Sequence, residues 1–188
     1  GVQTCALPIS DIVVHSTTKF LSGQGNALGG VVIDSGKFPW LGNSKYPSLS
    51  EPSPEYNGLT FAETFGDLAY TMYSHAISLR DLGCSQSPMN AWITLNGIET
   101  LPLRIERHCS NALLVAQFLE KHPNVEWVSH AGLESSPYYE LGKKYLPDGT
   151  GSVFTFGVKG GYESGLKMLE TVELFSHVAN IGDTHSLI

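Results

Sequence analysis

Cysteine is scarce in this sequence, and its few cysteines form no recognisable pattern. The chain has 3 cysteines among 188 residues, Cys5, Cys84 and Cys109, and none has C-x-x-C spacing. An odd and widely spaced set argues against both a disulfide framework and a zinc site, so we predict no metal and a reducing, cytoplasmic setting. Cys109 follows His108, but consecutive residues of a helix point about 100° apart, so the pair is not predicted to form an activated thiol.

The sequence also lacks an excess of positive charge and any long apolar run. It has 11 Lys and Arg residues against 18 Asp and Glu residues, which gives a formal net charge of −7. Nucleic acid and anionic membrane surfaces are therefore poor candidate partners, because both attract basic patches. No apolar run approaches the ~20 residues of a transmembrane helix, and no secretory pattern is visible. With 41% apolar and 15% charged residues, the composition is typical of a globular protein with a sizeable core.

A glycine-rich segment is present, but it lacks the dinucleotide-binding pattern. Residues 22–30 read SGQGNALGG, which spaces the glycines as G-x-G-x-x-x-G, and three β-branched residues follow. A dinucleotide fingerprint needs G-x-G-x-x-G leading into a helix, whereas a strand is predicted here. The glycines instead predict a tight turn or a close passage of the backbone beside a ligand.

Lys19 stands just after a predicted strand and directly after two threonines. Ile12–Val14 are β-branched and predict a buried strand, and Ser16, Thr17 and Thr18 precede the lysine. Hydroxyls and backbone N–H groups can bind an anion, and a lysine beside them can form a Schiff base with a carbonyl cofactor. An aldehyde that also carries a phosphate describes pyridoxal phosphate, an electron sink for amino-acid chemistry. The alternative is a surface lysine that merely ends a strand.

The middle of the chain predicts a loop and then three helices. The loop covers residues 35–55, where four prolines argue against regular structure. The predicted helices cover residues 61–82 with Gly83 as C-cap, a stretch that begins at Pro88, and Pro102 to His122. Apolar residues of the third helix recur at the helical period, which places Arg104 on its outward face.

The pattern changes after residue 123. Strands are predicted at residues 125–128 and 151–158, and helices at residues 138–146 and 163–174. This alternation is typical of an α/β layer that is distinct from the helical middle, so a domain boundary is predicted near residues 121–126.

Several segments together resemble the Cys/Met-metabolism PLP enzymes. They are Ser16–Lys19, Gly29-Gly30 before a strand, Glu99-Thr100-Leu101 with Arg104, and Ala179-Asn180-Ile181-Gly182-Asp183 with Ser186-Leu187. Within that family, the O-acetylhomoserine sulfhydrylase branch is most similar at Asp34–Trp40, Ser136–Tyr139 and Leu174–Asn180. The resemblance covers Asp11 to Ile188.

The resemblance implies an α/β fold of the fold-type I, aspartate-aminotransferase-like class. Residues 1–10 would then be a foreign leader, residues 11–123 the C-terminal part of the PLP-binding large domain, and residues 124–188 a truncated small domain. It also implies pyridoxal 5'-phosphate as the cofactor and, in the full-length parent, a homotetramer built from catalytic dimers.

The resemblance further implies roles for individual residues. Lys19 would be the catalytic Schiff-base lysine, Ser16 and Thr18 would bind the cofactor phosphate, and Ser186 would meet the substrate carboxylate. The implied reaction is a γ-replacement on O-acetyl-L-homoserine in methionine and cysteine biosynthesis. Sulfide or a thiol displaces acetate and gives homocysteine or methionine.

The same resemblance leaves alternatives open and limits what this chain is expected to do alone. The family's ring-stacking tyrosine, pyridine-binding aspartate and carboxylate-binding arginine belong to regions that this sequence does not contain. We therefore expect an internal fragment with little or no activity by itself.

Cystathionine γ-synthase and methionine γ-lyase share the residues around Lys19 and are the nearest alternatives. A non-catalytic α/β scaffold or interaction domain, with Lys19 in a structural role, is the third hypothesis.

Overall fold

The computed structural model describes residues 9–188, so nearly all of the predicted leader at residues 1–10 lies outside the described residues. The strands are β1 Ile12–Ser16, β2 Gly30–Asp34, β3 Val125–Ser129 and β4 Thr155–Val158. The α-helices are α1 Pro47–Ser50, α2 Phe61–Phe65, α3 Ala69–Tyr73, α4 Pro88–Glu99, α5 Leu101–Glu120, α6 Tyr139–Tyr145 and α7 Gly161–Thr171. Pro54–Tyr56 and Gly66–Leu68 are single 3-10 turns, Ser74–Asp81 is a π-helical segment, and Thr17–Leu21 is a kinked helical turn.

The chain forms two compact units, and each unit combines two stretches that are not consecutive in the sequence. The described part of the first unit comprises residues 9–16 and 29–88, and the second comprises Thr17–Leu28 and Met89–Ile188. The domain boundary near residues 121–126 stays a prediction. Within the described ranges, no helix combines the length and the apolarity needed to cross a membrane.

An antiparallel ribbon of β1 and β2 opens the first unit. Its register pairs Ile12 with Asp34 and Ser16 with Gly30. Ile12 packs against the core and Val13 is buried, but Val14 is 68% exposed. The prediction of a buried strand is therefore wrong for Val14, because a short apolar run does not reveal how far along the strand neighbouring elements cover it.

Aromatic side chains build the core of the first unit. Trp40 stacks on Tyr70 with ring centroids 5.9 Å apart, and Phe61 meets Tyr73 edge to face at 5.2 Å. Leu49 of α1 joins this core. The region predicted to lack regular structure thus contains a short helix, because a proline at the first helical position needs no hydrogen bond from its nitrogen.

The long helix predicted over residues 61–82 is interrupted. Gly66 adopts φ 51° and ψ −120°, which ends α2 and redirects the chain before α3 begins. Gly83 has φ 73°, and its N–H donates to the Leu79 carbonyl at 3.1 Å. The predicted C-cap is therefore confirmed, since glycine reaches the left-handed region without steric cost.

Two helices and a second antiparallel ribbon dominate the second unit. Helix α4 begins at Pro88 and α5 spans Leu101–Glu120, as predicted to within two residues. Ala112 and Ala116 form the buried stripe of α5. Strand β3 pairs with β4, which is shorter than predicted and does not begin until Thr155.

Candidate functional site

Lys19 lies in a tight turn that belongs wholly to the second unit. The turn Thr17–Leu21 follows β1, and the Lys19 backbone is not helical, with φ −84° and ψ −127°. The Ser22 N–H donates to the Thr17 carbonyl at 3.0 Å, and the Gly23 N–H donates to the Lys19 carbonyl at 2.8 Å. These bonds close the turn, so the position of the lysine is set by the backbone as well as by its side chain.

The Lys19 amine reaches a segment near the end of the chain. Its Nζ donates to the Ala179 carbonyl at 3.2 Å and to Asn180 Oδ1 at 3.1 Å. Asn180 Nδ2 in turn donates to Asp183 Oδ2 at 2.7 Å. That second bond presents the oxygen of the Asn180 amide to the lysine, because the amide nitrogen is already engaged.

Asn180 was not among the predicted site residues, although it lies in one of the segments that carry the family resemblance. Nothing in a single sequence shows that residue 180 would meet residue 19. Periodicity and spacing report local conformation, whereas this contact joins two segments that are 161 positions apart.

The predicted phosphate-binding residues fall on both compact units. Ser16 is the last residue of β1, where it pairs with Gly30 and is exposed. Thr18 belongs to the second unit, and its carbonyl accepts a hydrogen bond from the Ser22 hydroxyl at 3.0 Å. The phosphate-binding roles of Ser16 and Thr18 stay predictions.

The predicted substrate residue, Ser186, is also in the second unit. Its carbonyl accepts a hydrogen bond from the Ser176 N–H at 3.0 Å, and the residue is exposed. A short parallel bridge between Ser176 and Leu187 holds this segment in place. Its contact with a substrate carboxylate stays a prediction.

The buried Thr17 hydroxyl could donate a hydrogen bond to, or accept one from, a further polar group beside the Lys19 turn. The residue is 4% exposed, and its Oγ1 has no hydrogen-bond partner among the described residues. A buried hydroxyl without a partner costs about 1–3 kcal/mol, so such groups are uncommon in folded proteins. The Lys19 amine and the hydroxyls of Thr17 and Thr18, all in the second unit, are the kinds of donor that suit an aldehyde carrying a phosphate.

Asp183 is the carboxylate that contacts Asn180 and His185. Burial acts to raise the pKa of its carboxyl, but hydrogen bonds from the His185 N–H, the His185 ring and the Asn180 amide outweigh it and lower the pKa to about 2. The His185 ring nitrogen lies 2.8 Å from Asp183 Oδ1. The carboxylate therefore stays ionised, and stays a partner of Asn180, throughout the neutral and mildly acidic range.

This lowered pKa makes a testable prediction about stability. Because the folded pKa lies below the ordinary value of 3.8, Asp183 stabilises the fold above pH 4, and that contribution is lost as the pH falls toward 2. The melting temperature of the wild type should therefore fall more steeply between pH 4 and pH 2 than that of Asp183→Asn. Asp148→Asn, at an exposed carboxylate of the same unit, controls for removal of a charge. Parallel pH curves for wild type and Asp183→Asn would contradict the assignment.

The neighbouring His108 and Cys109 face different surroundings. The His108 ring meets Phe20 edge to face at 6.0 Å, whereas the Cys109 thiol lies beside Gly149. Desolvation, aided by the charge of Arg104, lowers the pKa of His108. The two side chains therefore contact different neighbours, as the helical spacing predicts. Among residues 9–188 no group of three His, Cys, Asp or Glu side chains could hold a metal ion.

Arg104 departs from its predicted outward position. Its guanidinium is partly buried and donates to the Phe20 carbonyl at 2.8 Å and to the Gly97 carbonyl at 2.7 Å. The helical period places residue 104 at the edge of the apolar stripe. The tight turn beside the helix then supplies carbonyl acceptors that the sequence pattern does not reveal.

Comparisons with known proteins agree on one family. Residues 3–188 match the family described as Cys/Met metabolism PLP-dependent enzyme. A homocysteine synthase of Schizosaccharomyces pombe is 48% identical over 180 residues, which cover 95% of this chain and 42% of that protein. An O-acetyl-L-homoserine sulfhydrylase of Leptospira meyeri is 49% identical over 187 residues, with the same two coverages of 95% and 42%.

A solved structure shares the fold. It is described as an O-acetylhomoserine (thiol)-lyase of Campylobacter jejuni with a pyridoxyl phosphate group attached to a lysine, and it superposes with a TM-score of 0.86 at 38% identity. The match covers 94% of this chain and 44% of that one. The predicted α/β fold of the fold-type I class is thus confirmed. The chain spans 42% of the length of the two curated relatives named above. By the extent of the family match and the identity to these relatives, the chain belongs to the Cys/Met metabolism PLP-dependent enzyme family.

Proposed function

We propose that Lys19 of this chain binds pyridoxal 5'-phosphate covalently, and that the polypeptide carrying the chain performs a γ-replacement on O-acetyl-L-homoserine. The observation that carries the proposal is the placement of the Lys19 amine against Ala179 and Asn180 in a member of this family. Relatives at 48% and 49% identity, named as a homocysteine synthase and an O-acetyl-L-homoserine sulfhydrylase, support the choice of substrate.

Four residues around the turn would hold the cofactor. Lys19 would form the bond to its aldehyde carbon, and the hydroxyls of Ser16 and Thr18 would donate to its phosphate. The buried Thr17 hydroxyl, which lacks a partner among the described residues, would gain an acceptor close by. When bound, pyridoxal phosphate stabilises negative charge at the Cα atom of an amino acid.

The proposed reaction balances with sulfide as the second substrate. The bond between Cγ of O-acetylhomoserine and its ester oxygen breaks, and acetate leaves with the bonding electron pair. A bond between Cγ and sulfur forms, and the product is homocysteine. The free amine of Lys19 would remove the proton from Cα and move protons at Cβ.

Asn180 and Ala179 would hold the released amine between those proton transfers. Both acceptors lie within hydrogen-bond distance of Nζ, so the amine keeps a defined position while it is not bound to the cofactor. A general acid or base works only when it is held within reach of the proton it moves. Ser186, at the end of the same segment, would meet the substrate carboxylate.

Labelling of the lysines tests the cofactor assignment. The longest natural polypeptide that carries this sequence is incubated with pyridoxal phosphate, reduced with borohydride, digested and mapped by mass spectrometry. We expect the pyridoxyl group on Lys19 and only traces on the seven other lysines of this chain, which are internal controls. Label spread evenly over all lysines, or absent from Lys19, would overturn the proposal and favour the non-catalytic scaffold.

Choice of the sulfur donor separates the proposed activity from its nearest alternative. With O-acetylhomoserine, we expect homocysteine from sulfide at a kcat/KM at least about 10-fold higher than that for cystathionine from cysteine, since a site discriminates by its contacts with the acceptor. A preference for cysteine would favour a cystathionine γ-synthase. Release of a thiol from methionine without a second substrate would favour a methionine γ-lyase.

The remaining features of the proposal concern the parent polypeptide. Residues 11–123 would belong to its cofactor-binding large domain and residues 124–188 to its small domain. The full-length protein would be a cytoplasmic homotetramer built from catalytic dimers. Small-molecule substrates, rather than nucleic acid or membrane, fit the formal net charge of −7.

A further inference from the structure

We propose that Arg104 is a positioning residue, which holds the backbone directly after Lys19 and thereby keeps the lysine amine in register with Asn180. The inference rests on the proposed function, in which Lys19 carries the cofactor and moves protons. Arg104 acts through the turn and touches no reacting atom.

The guanidinium of Arg104 binds the turn and helix α4 at the same time. Nη1 donates to the Phe20 carbonyl at 2.8 Å, and Nη2 donates to the carbonyls of Leu21 at 3.4 Å and Gly97 at 2.7 Å. Nε donates to the Thr100 hydroxyl at 3.1 Å. Within residues 9–188 the guanidinium forms no ion pair with a carboxylate. The charged guanidinium therefore binds mainly to backbone carbonyls.

The turn depends on Arg104 for two of its carbonyls. The carbonyls of Thr17, Thr18 and Lys19 accept hydrogen bonds from Ser22 and Gly23, the two residues that follow the turn. Those of Phe20 and Leu21 accept from Arg104. Removal of the guanidinium would leave both carbonyls without these donors, which frees the backbone on the C-terminal side of Lys19.

Arginine suits this position better than lysine. Its planar group presents several N–H donors in a fixed fork, whereas an ammonium group is a compact point charge on a flexible stem. Desolvation lowers the pKa of Arg104, yet arginine keeps its charge at all ordinary pH values. This position of Arg104 in turn favours glycine at residue 23, because a Cβ atom there would lie 2.5 Å from Arg104 Nη1.

The displacement of a catalytic group by about 1 Å can cost about 100-fold in rate. We therefore expect Arg104→Lys to lower kcat by about 10- to 100-fold with KM changed by less than about 3-fold, because only the group that moves protons is misplaced. Labelling of Lys19 by pyridoxal phosphate and borohydride should slow by a similar factor. Arg107→Lys, at an exposed arginine of the same helix, is the matched control and should match the wild type.

A purely structural role predicts a different result. The loss of activity would then follow the folded fraction, and the folded protein would label Lys19 at the wild-type rate. That outcome overturns the inference while it leaves the proposed function intact, whereas an unlabelled Lys19 in the wild type removes the proposed function itself.

Thr100→Val keeps the test decisive if the Arg104 variants do not fold. The substitution removes the hydroxyl that accepts from Arg104 Nε and that donates to the Gly97 carbonyl at 3.2 Å, and this residue makes no side-chain cap for helix α5. A fall in kcat and in the labelling rate of the folded protein of about 2- to 5-fold is the expected result for the loss of these two hydrogen bonds. Wild-type values for both rates would overturn the inference.

Discussion

Replacement of Lys19 by alanine should abolish covalent labelling at position 19 and lower kcat by about 1,000-fold or more in the polypeptide that carries this sequence. The size of the effect follows from the double role proposed for the amine. General acid–base catalysis by one positioned group typically contributes about 100- to 10,000-fold, and the attachment of the cofactor is lost as well. Turnover of O-acetylhomoserine with sulfide and mass mapping after reduction measure the two effects separately.

Two further variants show that the loss is specific. Lys19→Arg keeps a positive charge but cannot form the bond to an aldehyde at neutral pH, so it should be as inactive as Lys19→Ala. Lys167→Ala, at an exposed lysine of helix α7, should retain full activity and full labelling of Lys19. If Lys19→Ala keeps more than about a tenth of the wild-type kcat, Lys19 does not have the role proposed for it.

The second large effect is expected at Gly97 of helix α4. A Cβ atom at this position would lie 2.5 Å from the carbonyl oxygens of both Leu21 and Ser22 and 2.7 Å from the Ser22 Cα atom. Backbone atoms cannot rotate away as the end of a flexible side chain can. Gly97→Ala should therefore destabilise the fold by about 1–3 kcal/mol, although alanine favours a helix over glycine by about 1 kcal/mol.

Gly165 of helix α7 supplies the matched control. A Cβ atom there would meet only a Val158 methyl group at 4.0 Å, which is an ordinary contact. Gly165→Ala should accordingly leave the stability unchanged or raise it by up to about 1 kcal/mol. Denaturant unfolding of the two variants measures the difference. Equal stability of Gly97→Ala and Gly165→Ala would show that the Lys19 turn does not approach helix α4 as closely as described.

A substitution at Gly97 should also affect the position of Lys19, because Gly97 contacts Arg104. Its carbonyl accepts from Arg104 Nη2 at 2.7 Å, so a displaced helix α4 would shift the guanidinium that holds Phe20 and Leu21. Labelling of Lys19 in the folded fraction of Gly97→Ala should therefore also be slower than in the wild type.

Elements with strong local signals could be predicted from the sequence. Helix α4 begins at Pro88 because a proline at the first helical position gives up no hydrogen bond, and Gly83 ends the preceding segment with a left-handed φ. Strand β2 coincides with a run of β-branched residues, and strand β3 coincides with a short alternation of apolar and polar residues. In each case neighbouring residues contain the information.

Local signals failed where a distant contact decides the conformation. Val14 belongs to a β-branched run, but nothing in that run shows that its side chain is exposed whereas that of Val13 is buried. Gly66 looks like one glycine within a long helix, yet it adopts φ 51° and divides that helix. Arg104 lies on a helix edge that charge patterning assigns to solvent, and it turns toward carbonyls from another segment.

The sequence by itself determined the chemistry available at Lys19, the order of most helices and strands, and the resemblance to a family, because residue type and short-range spacing carry all three. Only the tertiary structure decided that the Lys19 amine meets Asn180, that Arg104 binds the turn, and that Gly97 must lack a side chain. These contacts join segments separated by about 75 to 161 positions, and their geometry depends on how whole elements pack. Local patterns encode polarity and backbone preference, and they do not specify which distant group a side chain will contact.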